Sequence, residues 1–211
     1  MLQATKVPAQ IKKVEAMEVP VKRRSIIESV APFNAAYSKN KPVAVDDFIL
    51  LTLHREENVD NKKILSSIIK GLIDSNEDII FPIHPRTKKR LHEFGLFNKL
   101  YQNKKIQILD TVGYFEILEL MKNCSFIVTD SGGIQEEGPS LGKPVLVMRD
   151  VTERPEAVDA GTVMMVGTSR DKIRDTVELV MTDHAVYEAM SRAHNPYGDG
   201  NETKRIIENI K

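Results

Sequence analysis

The sequence feature that most restricts the fold is an apolar run that ends in two glycines and continues as a helical pattern. Residues 125–128 read Ser-Phe-Ile-Val, typical of a buried strand, and Asp-Ser-Gly-Gly follows at 130–133. The pattern predicts a helix from Gly132 or Gly133 to residue 141. Such a helix start gathers unpaired backbone N–H groups and the positive end of the helix dipole. The stretch therefore predicts a site for phosphate or diphosphate, which two glycines would allow to approach closely.

A simpler interpretation of the same stretch stays open. Turns between a strand and a helix are common, and Asp130 or Ser131 could serve only as the N-cap of the helix. The choice between an anion site and an ordinary turn depends on what the rest of the chain brings to the same place.

The rest of the chain alternates strands with helices from residue 48 onward. Apolar runs predict strands at 48–53, 79–83, 106–109, 125–129, 145–148 and 162–166. Helical patterns predict helices at 61–73, 87–94, 113–123, 133–141, 171–181, 184–193 and 200–210. Asp60 and Asn61 can cap the first of these, and a further short helix has Pro155 in its first turn. In the helix at 113–123 we expect Ile117, Leu118 and Met121 to point inward. This alternation predicts an α/β domain with a Rossmann-like, doubly wound parallel sheet of about six strands.

Residues 1–47 do not show this regularity. Basic residues alternate with apolar ones up to residue 24, and Pro8 and Pro20 interrupt them. A helix could begin at Ser25, but Pro32 would disturb it. We therefore predict two parts: an N-terminal arm or linker at 1–47 and a Rossmann-like domain at 48–211.

Polar residues follow several of the predicted strands directly. His54 and Arg55 follow the first strand, His84 the second, and Ser131 to Gly133 the fourth; Arg149, Glu153 and Arg154 follow the fifth. In doubly wound sheets, ligands bind beyond the carboxyl ends of the strands. The coincidence favours the anion site. Histidine and arginine can both donate hydrogen bonds to anionic oxygens.

Several of these residues also have simpler interpretations. His54 and Arg55 could be solvated or bonded to neighbouring glutamates, and His84 before a proline is somewhat more typical of a structural histidine. Glu136 could merely complement the helix dipole, whereas Glu137 could accept two hydrogen bonds from a ribose diol. Arg154 would point to the ligand crevice or lie on the surface.

Composition excludes some classes of function. Lysine plus arginine and aspartate plus glutamate number 30 each, so the net charge of zero gives no support for nucleic acid or an anionic membrane as partner. The single cysteine, Cys124, cannot form an internal disulfide and fits a reducing cytoplasm. No apolar run has the length of a membrane span, and no metal-binding spacing occurs among the histidines and the cysteine. We therefore predict a cytoplasmic protein without a metal site.

Several longer motifs, in this order, resemble one family, the non-hydrolysing UDP-N-acetylglucosamine 2-epimerases. They are Thr-Leu-His-Arg-Glu-Glu-Asn at 52–58, Ile-His-Pro at 83–85, Asp-Ser-Gly-Gly-Ile-Gln-Glu-Glu at 130–137, Gly-Lys-Pro-Val-Leu-Val at 142–147, Thr-Glu-Arg-Pro-Glu-Ala at 152–157 and Asn-Pro-Tyr-Gly-Asp-Gly at 195–200. The resemblance runs from about Phe48 to the end. It implies one half of a GT-B fold, the C-terminal half that binds UDP. It also implies isomerase chemistry without cofactors and a place in polysaccharide biosynthesis.

The resemblance implies roles for individual residues. His54 corresponds to a substrate-binding histidine that could take part in catalysis, and Ser131, Gly132 and Gly133 to the stretch that holds the diphosphate. Glu137 corresponds to a ribose-binding glutamate and Arg154 to an arginine that contacts the nucleotide. Arg55 and His84 correspond to positions that in some members contact a second, regulatory UDP-sugar molecule.

Two departures accompany the resemblance. Val112 and Ile117 stand where some members have glutamine and phenylalanine near the uracil. The family's N-terminal domain, which brings the carboxylates that act on the C2 proton, has no counterpart in residues 1–47. We therefore expect negligible epimerase activity from this polypeptide alone, as a truncation, a split-gene product or a decayed copy.

The implied reaction interconverts UDP-N-acetylglucosamine and UDP-N-acetylmannosamine by elimination and re-addition of UDP. The expected partners are UDP-N-acetylglucosamine or UDP and an N-terminal domain in trans. An apolar cleft face would also favour association between copies. Two alternatives remain: a non-catalytic module that binds or senses UDP-sugars, and a fragment of a GT-B glycosyltransferase.

Overall fold

The computed structural model describes residues 48–198 and 201–210 of the 211-residue chain. The predicted arm at 1–47 and the predicted helix start at Ser25 lie outside the described residues. The boundary near residue 48 stays a prediction.

The described residues contain a six-stranded parallel sheet, as the alternation of patterns predicted. Its strands are β1 (Ile49–Thr52), β2 (Ile79–Pro82), β3 (Ile106–Leu109), β4 (Phe126–Thr129), β5 (Val145–Val147) and β6 (Val163–Met165). Their spatial order is β3-β2-β1-β4-β5-β6, and every neighbouring pair is parallel. The order reverses between β1 and β4, which is the point where ligands bind in doubly wound sheets.

Helices connect these strands and follow the last of them. They are α1 (Glu56–Val59), α2 (Lys62–Asp74), α3 (Pro85–Glu93), α4 (Phe97–Tyr101), α5 (Tyr114–Asn123), α6 (Ile134–Ser140), α7 (Pro155–Asp159), α8 (Arg170–Thr182), α9 (His184–Ser191) and α10 (Glu202–Ile210). The predicted helices are confirmed with boundaries shifted by a few residues. The short helices α1 and α4 were not predicted, because five or fewer residues carry no helical period.

The central strands are buried on both faces. Ile49 and Leu51 pack into the larger of two apolar layers, and Leu50 between them packs into the smaller layer on the opposite face. Phe126 and Ile127 divide in the same way. Alternate residues of a strand point to opposite faces, so a strand with apolar residues at every position needs cover on both sides. This explains the doubly wound arrangement.

The inward face of α5 differs from the prediction. Met121 is buried as expected, but Leu120 rather than Leu118 is the second buried residue of the helix. Ile117 is only partly buried and packs against the smaller layer. The apolar pattern offers several candidate inward residues, and packing of α5 against the smaller apolar layer decides which of them are buried.

Two helix starts confirm the capping residues read from the sequence. The side chain of Asn61 accepts hydrogen bonds from the N–H groups of Lys63 and Ile64 at the start of α2. Pro155 occupies the first turn of α7, where its missing N–H would have had no partner within the helix.

Candidate functional site

The carboxyl ends of β1, β4 and β5 lie side by side, so the polar residues that follow these strands meet at one edge. Arg55 after β1 lies 3.7 Å from Glu153 after β5, measured from Nη2 to Oε2. His54 after β1 contacts Asp130 after β4, with 3.4 Å between Nδ1 and Oδ1. The sheet order thus gathers residues that are about 75 to 100 positions apart in the chain. The predicted clustering at the carboxyl edge is confirmed.

Asp130 fixes the backbone that follows β1. Its carboxylate is fully buried and accepts hydrogen bonds from the N–H of His54 at 3.0 and 3.1 Å and from the N–H of Arg55 at 2.8 Å. The side-chain amide of Asn58 donates to the same carboxylate at 3.2 Å and to the carbonyl of Met148 at 2.9 Å. A carboxylate that accepts several N–H bonds is well satisfied even when buried. Asp130 therefore ties the ends of β1, β4 and β5 together.

A pair of threonines continues this connection one residue earlier. The hydroxyls of Thr52 and Thr129 lie 2.6 Å apart between the adjacent strands β1 and β4. The N–H of Ser131 donates to the Thr129 hydroxyl at 2.9 Å.

Neither Asp130 nor Ser131 caps α6 with its side chain, so the capping interpretation is wrong. Gly133 is the N-cap residue.

The glycine turn leaves backbone donors open. Within the described part of the chain, the N–H groups of Gly132 and Gly133 have no hydrogen-bond partner. Gly133 has helical dihedral angles, φ −63° and ψ −40°, which any residue can adopt, and a Cβ added there would meet nothing within 4 Å. The fold itself does not require glycine at this position. A ligand that must approach the backbone closely would require it.

The helix that follows this turn is short and is cross-linked to the loop after β5. Gln135 is buried, donates from Nε2 to the carbonyl of Ser131 at 3.1 Å and accepts from the hydroxyl of Thr152 at 2.6 Å. The N–H of Arg154 donates to the same threonine at 3.0 Å. Because α6 has only seven residues, its dipole is short, and the open N–H groups are the main feature of this turn that could attract an anion.

Arg154 lies beside this helix, with its guanidinium paired to Glu136. Its Nε donates to the Glu136 carboxylate, and its Nη1 donates to the carbonyl of Glu153 at 3.0 Å. Glu136 is therefore the ion-pair partner of Arg154. Complementing the helix dipole, the simpler interpretation of Glu136, is therefore at most part of its role. The contact raises the pKa of Arg154, chiefly through the hydrogen bond to Glu136.

Glu137 differs from its neighbour because its side chain makes no hydrogen bond or ion pair with the described residues, although its backbone N–H donates to the carbonyl of Gly133 at 3.0 Å. Its side chain is partly buried, and desolvation, with a smaller effect of the Glu136 charge, raises the pKa of its carboxyl. A partly desolvated carboxylate without a partner is available to accept hydrogen bonds from a ligand. The geometry fits the hydroxyl-binding interpretation of Glu137.

Arg149 is the residue of this edge whose importance the sequence did not reveal. Its side chain is only 14% exposed and forms a bidentate pair with Glu153, at 3.0 and 3.1 Å, while Nε lies 3.3 Å from Glu57. These partners raise the pKa of Arg149. Its position directly after a buried strand was visible in the sequence, but the burial depends on packing between loops.

His84 has the structural role that its position before Pro85 favoured. Its Nδ1 accepts a hydrogen bond from the N–H of Arg86 at 3.2 Å and so caps α3. The ring centroids of His84 and His54 are 5.6 Å apart. His84 therefore borders the crevice while its Nδ1 is engaged in the helix cap.

The remaining predicted residues lie around the same edge. Val112 is half-buried just before α5, and Ile117 is turned toward the smaller apolar layer.

Three large side chains are exposed near the ends of β3 and β5: Tyr114, Phe115 and Val151 are 58%, 80% and 73% exposed. These exposed apolar side chains fit the predicted apolar cleft face, and association through it stays a prediction.

Part of the last motif packs beside Arg154. Asn195 donates to the hydroxyl of Ser140 at 3.0 Å, and Tyr197 packs against the smaller apolar layer. The Tyr197 hydroxyl is buried without a hydrogen-bond partner in the described regions. Burial, with nearby Glu156, raises the pKa of Tyr197 to about 12. Residues 199 and 200 of the motif lie outside the described residues.

Metal and membrane chemistry receive no support from the described ranges. Residues 48–198 and 201–210 contain no group of three or more histidine, cysteine, aspartate or glutamate side chains placed to hold a metal ion. In the same ranges, no helix combines the length and apolar character needed to span a bilayer. Cys124 is buried, and desolvation raises the pKa of its thiol to about 12, so it is not a reactive nucleophile.

A doubly wound parallel sheet with open amides and arginines beyond its carboxyl edge defines an α/β domain of the nucleotide-binding type. Comparison with known proteins makes this more specific. The family model described as UDP-N-acetylglucosamine 2-epimerase matches residues 14–211. The chain therefore belongs to the UDP-N-acetylglucosamine 2-epimerase family. The matched range begins earlier than the motifs near Phe48 on which the sequence resemblance rests.

Individual relatives agree with this membership. A protein named UDP-N-acetylglucosamine 2-epimerase from Methanocaldococcus jannaschii is 48% identical over 172 residues, which are 80% of this chain and 45% of that protein. A structure of the UDP-GlcNAc 2-epimerase from this organism superimposes with a TM-score of 0.73 at 44% identity, covering 87% of this chain and 49% of the other. Another, in complex with UDP-GlcNAc and UDP, gives a TM-score of 0.69 at 42% identity over 87% and 52%. The chain spans about half the length of the curated relatives it matches.

Proposed function

We propose that the carboxyl edge of this domain binds the UDP part of a UDP-N-acetylhexosamine, as the C-terminal half of a UDP-N-acetylglucosamine 2-epimerase. The observation that carries the proposal is the glycine turn. Gly132 and Gly133 present two open N–H groups among the described residues; a Cβ added at Gly133 would meet nothing within 4 Å, and one added at Gly132 would meet only Arg55 at 3.4 Å and Glu153 at 3.6 Å. A diphosphate is the ligand that best uses such donors, because hydrogen bonds from backbone N–H groups to charged oxygens are stronger than those to neutral acceptors.

The other side chains of the edge can be assigned to parts of this ligand. The side chain of Glu137, which has no partner among the described residues, would accept hydrogen bonds from the ribose hydroxyls. His54, whose backbone is fixed by Asp130, would donate to a phosphate or sugar oxygen. Arg154 would approach the nucleotide after adjusting its pairing with Glu136. Val112 and Ile117 leave the uracil to backbone groups and apolar contacts.

The proposed reaction needs a base at the C2 carbon of the sugar and a leaving group at C1. Proton removal requires a carboxylate or similar base within hydrogen-bond reach of that carbon. The carboxyl edge of the sheet would assist departure of the leaving group, because open N–H groups and arginines stabilise the negative charge that develops on departing UDP. We propose that an N-terminal domain supplies the base and covers the crevice, and that the chain acts with such a domain, in the cytoplasm.

A titration with UDP tests the binding proposal directly. The amide signals of Gly132 and Gly133 in NMR spectra should shift as UDP is added, with a dissociation constant roughly in the high-micromolar to millimolar range for half of a cleft. Inosine diphosphate serves as a matched control, since it keeps the diphosphate and ribose and replaces uracil. Shifts confined to distant loops would contradict the proposal.

A second experiment tests the catalytic part. The chain is mixed with the N-terminal half of a relative, and incorporation of deuterium at C2 of UDP-N-acetylglucosamine is followed in heavy water. Exchange in the mixture, with little exchange in either part alone, would support the epimerase proposal. UDP binding without exchange in any mixture would favour the alternative of a module that binds or senses UDP-sugars.

Glycosyltransfer is the third candidate and is distinguished by its product. A fragment of a GT-B glycosyltransferase would share the glycine turn and the ribose glutamate. Membership of the epimerase family and the motifs at 52–58 and 152–157 favour the isomerase. Transfer of the sugar to an acceptor without exchange at C2 would overturn this choice.

A further inference from the structure

Glu153 lies at the place where an anionic ligand would have to bind. It belongs to the loop between β5 and α7, and its carboxylate is about half exposed. One of its oxygens, Oε2, lies 3.6 Å from the position that a Cβ of Gly132 would occupy, and Arg55 Nη2 lies 3.4 Å from the same position. The glycine turn is therefore bordered by one cation and one anion.

The charges around the turn are already paired. Arg154 is bonded to Glu136, Arg149 to Glu153 and Glu57, and Arg55 lies close to Glu153. Hydrogen bonding and the charge of Arg149 lower the pKa of Glu153, so this carboxylate is ionised at neutral pH. A diphosphate entering the turn would meet no free arginine there, and it would meet a carboxylate of the same sign.

The two contacts of Glu153 differ in strength. Arg149 is largely buried and holds the carboxylate with two hydrogen bonds of 3.0 and 3.1 Å. Arg55 is about one third exposed, and its nearest nitrogen is 3.7 Å away, beyond hydrogen-bond distance. The bidentate pair is the stronger one. Arg55 is therefore the cation that can leave Glu153 for another anion.

From this arrangement we infer that Glu153 competes with the ligand's diphosphate for Arg55. In the free protein the Glu153 carboxylate lies beside Arg55 in place of a phosphate. When the diphosphate binds, Arg55 turns from Glu153 to a phosphate oxygen, and Arg149 stays bonded to Glu153. This inference rests on the proposed function, because it assumes that the diphosphate binds at Gly132 and Gly133. Glu153 then limits the affinity for the diphosphate, and it holds Arg55 and Arg149 in place when the site is empty.

The inference is tested by removing the charge of Glu153 and keeping its shape. Binding of pyrophosphate and of UDP is measured by calorimetry at about 0.15 M salt, where the Debye length is about 8 Å, for the full chain and for Glu153→Gln. We expect the variant to bind pyrophosphate about fivefold more tightly or better, because a like charge a few ångströms from the ligand is removed. Asp159→Asn is the matched control; Asp159 is exposed on α7, and no contact links it to these arginines. It should change the affinity less than about twofold, since exposed, distant charges are screened.

A third variant tests the role of Arg55. If Arg55 is the cation that is exchanged, the gain from Glu153→Gln should shrink by at least half when Arg55→Ala is also present. An undiminished gain in the double variant would overturn the exchange, because only a general charge effect would remain. Unchanged or weaker pyrophosphate binding by Glu153→Gln would overturn the competition itself and leave Glu153 as a support for Arg149.

The outcomes separate this inference from the proposed function. Wild-type UDP binding at the glycine amides together with no gain in Glu153→Gln would overturn the inference alone. A gain for pyrophosphate without any preference for UDP over pyrophosphate would support the competition and count against the proposed function. If neither protein binds either ligand, both are overturned.

Discussion

Two adjacent turns at the carboxyl edge of the sheet treat their backbone N–H groups in opposite ways. At the end of β1, the N–H groups of His54 and Arg55 are both bonded to the buried carboxylate of Asp130. After β4, the N–H groups of Gly132 and Gly133 have no partner in the described structure. The first turn is closed by the protein itself, and the second is left for something else to close.

The comparison shows how one edge separates positioning from binding. Buried N–H groups must be paired, because an unpaired one loses its bonds to water without compensation. The closed turn is held by the buried carboxylate of Asp130, which fixes the backbone that carries the His54 side chain. The open turn is exposed at Gly133 and half-exposed at Gly132, so its donors are accessible to water, and we propose that a ligand takes the place of that water.

Replacing Asp130 with alanine should open the closed turn and cost the most stability. Several donors would lose a buried partner, and the expected loss in the free energy of unfolding is roughly 2–4 kcal/mol. Denaturant unfolding measures it. Asp110→Ala is the control, since Asp110 pairs with Lys88 in an exposed contact of 2.9 Å and should cost less than about 1 kcal/mol. Similar losses in both variants would mean that Asp130 is not a special connection.

Alanine at two glycines of the same segment should have opposite consequences. At Gly138 the new Cβ would lie 2.5 Å from Val145 Cγ2 and 3.2 Å from Ile127 Cδ1, so overpacking should cost about 1–3 kcal/mol of stability. At Gly133 it meets open space, and stability should stay constant or rise by up to about 1 kcal/mol.

Gly133→Ala should nevertheless weaken UDP binding by about tenfold or more. The methyl group would keep the phosphate away from donors whose charge-assisted bonds are worth about 1.5–3 kcal/mol each. Calorimetry measures the affinity and denaturant unfolding the stability of both variants. An unchanged affinity for UDP in Gly133→Ala would mean that the open turn is not the anion site.

The role of Glu137 is tested with the ribose itself. The wild type should prefer UDP to 2′-deoxy-UDP by about fivefold to tenfold, and Glu137→Gln should lose most of this preference. Burial raises the pKa of Glu137, and only the ionised carboxylate accepts two hydrogen bonds. The preference should therefore fall as the pH is lowered through this raised pKa. A preference that is equal in Glu137→Gln and pH-independent in the wild type would exclude the contact.

The smallest expected effect concerns an ion cluster away from the open turn. Arg86 and Arg90 bond to Asp60 and lower the pKa of its carboxyl from 3.8 to about 2. A lowered folded-state pKa means that the contribution of Asp60 to stability is fully present above pH 4 and is lost as the pH falls toward 2. Asp60→Asn should unfold with a weaker pH dependence between pH 4 and 2, followed by circular dichroism. Identical pH profiles for both proteins would contradict this role.

The sequence predicted the elements well where apolar patterns were long. All six strands were placed from apolar runs, and the start of α2 from the capping residue Asn61. The short helix α1 was missed, since one turn carries no period. The inward face of α5 was displaced, because packing against the sheet decides which of its apolar residues are buried. For Asp130 the sequence suggested only a possible capping role, because it shows only the neighbours of a residue along the chain. The partners of Asp130, His54 and Asn58, lie more than 70 positions away.

By itself the sequence determined the fold class, the position of the two glycines after a buried strand, and the family to which the chain is similar. Apolar periodicity and turn chemistry are local, so they can be read from the chain directly. The tertiary structure alone decided that β1 adjoins β4 and β5. It also decided that Asp130 closes one turn, and that Glu153 stands between Arg149 and Arg55 at the other. These contacts join distant segments, and their energies depend on burial and distance, which only the folded chain defines.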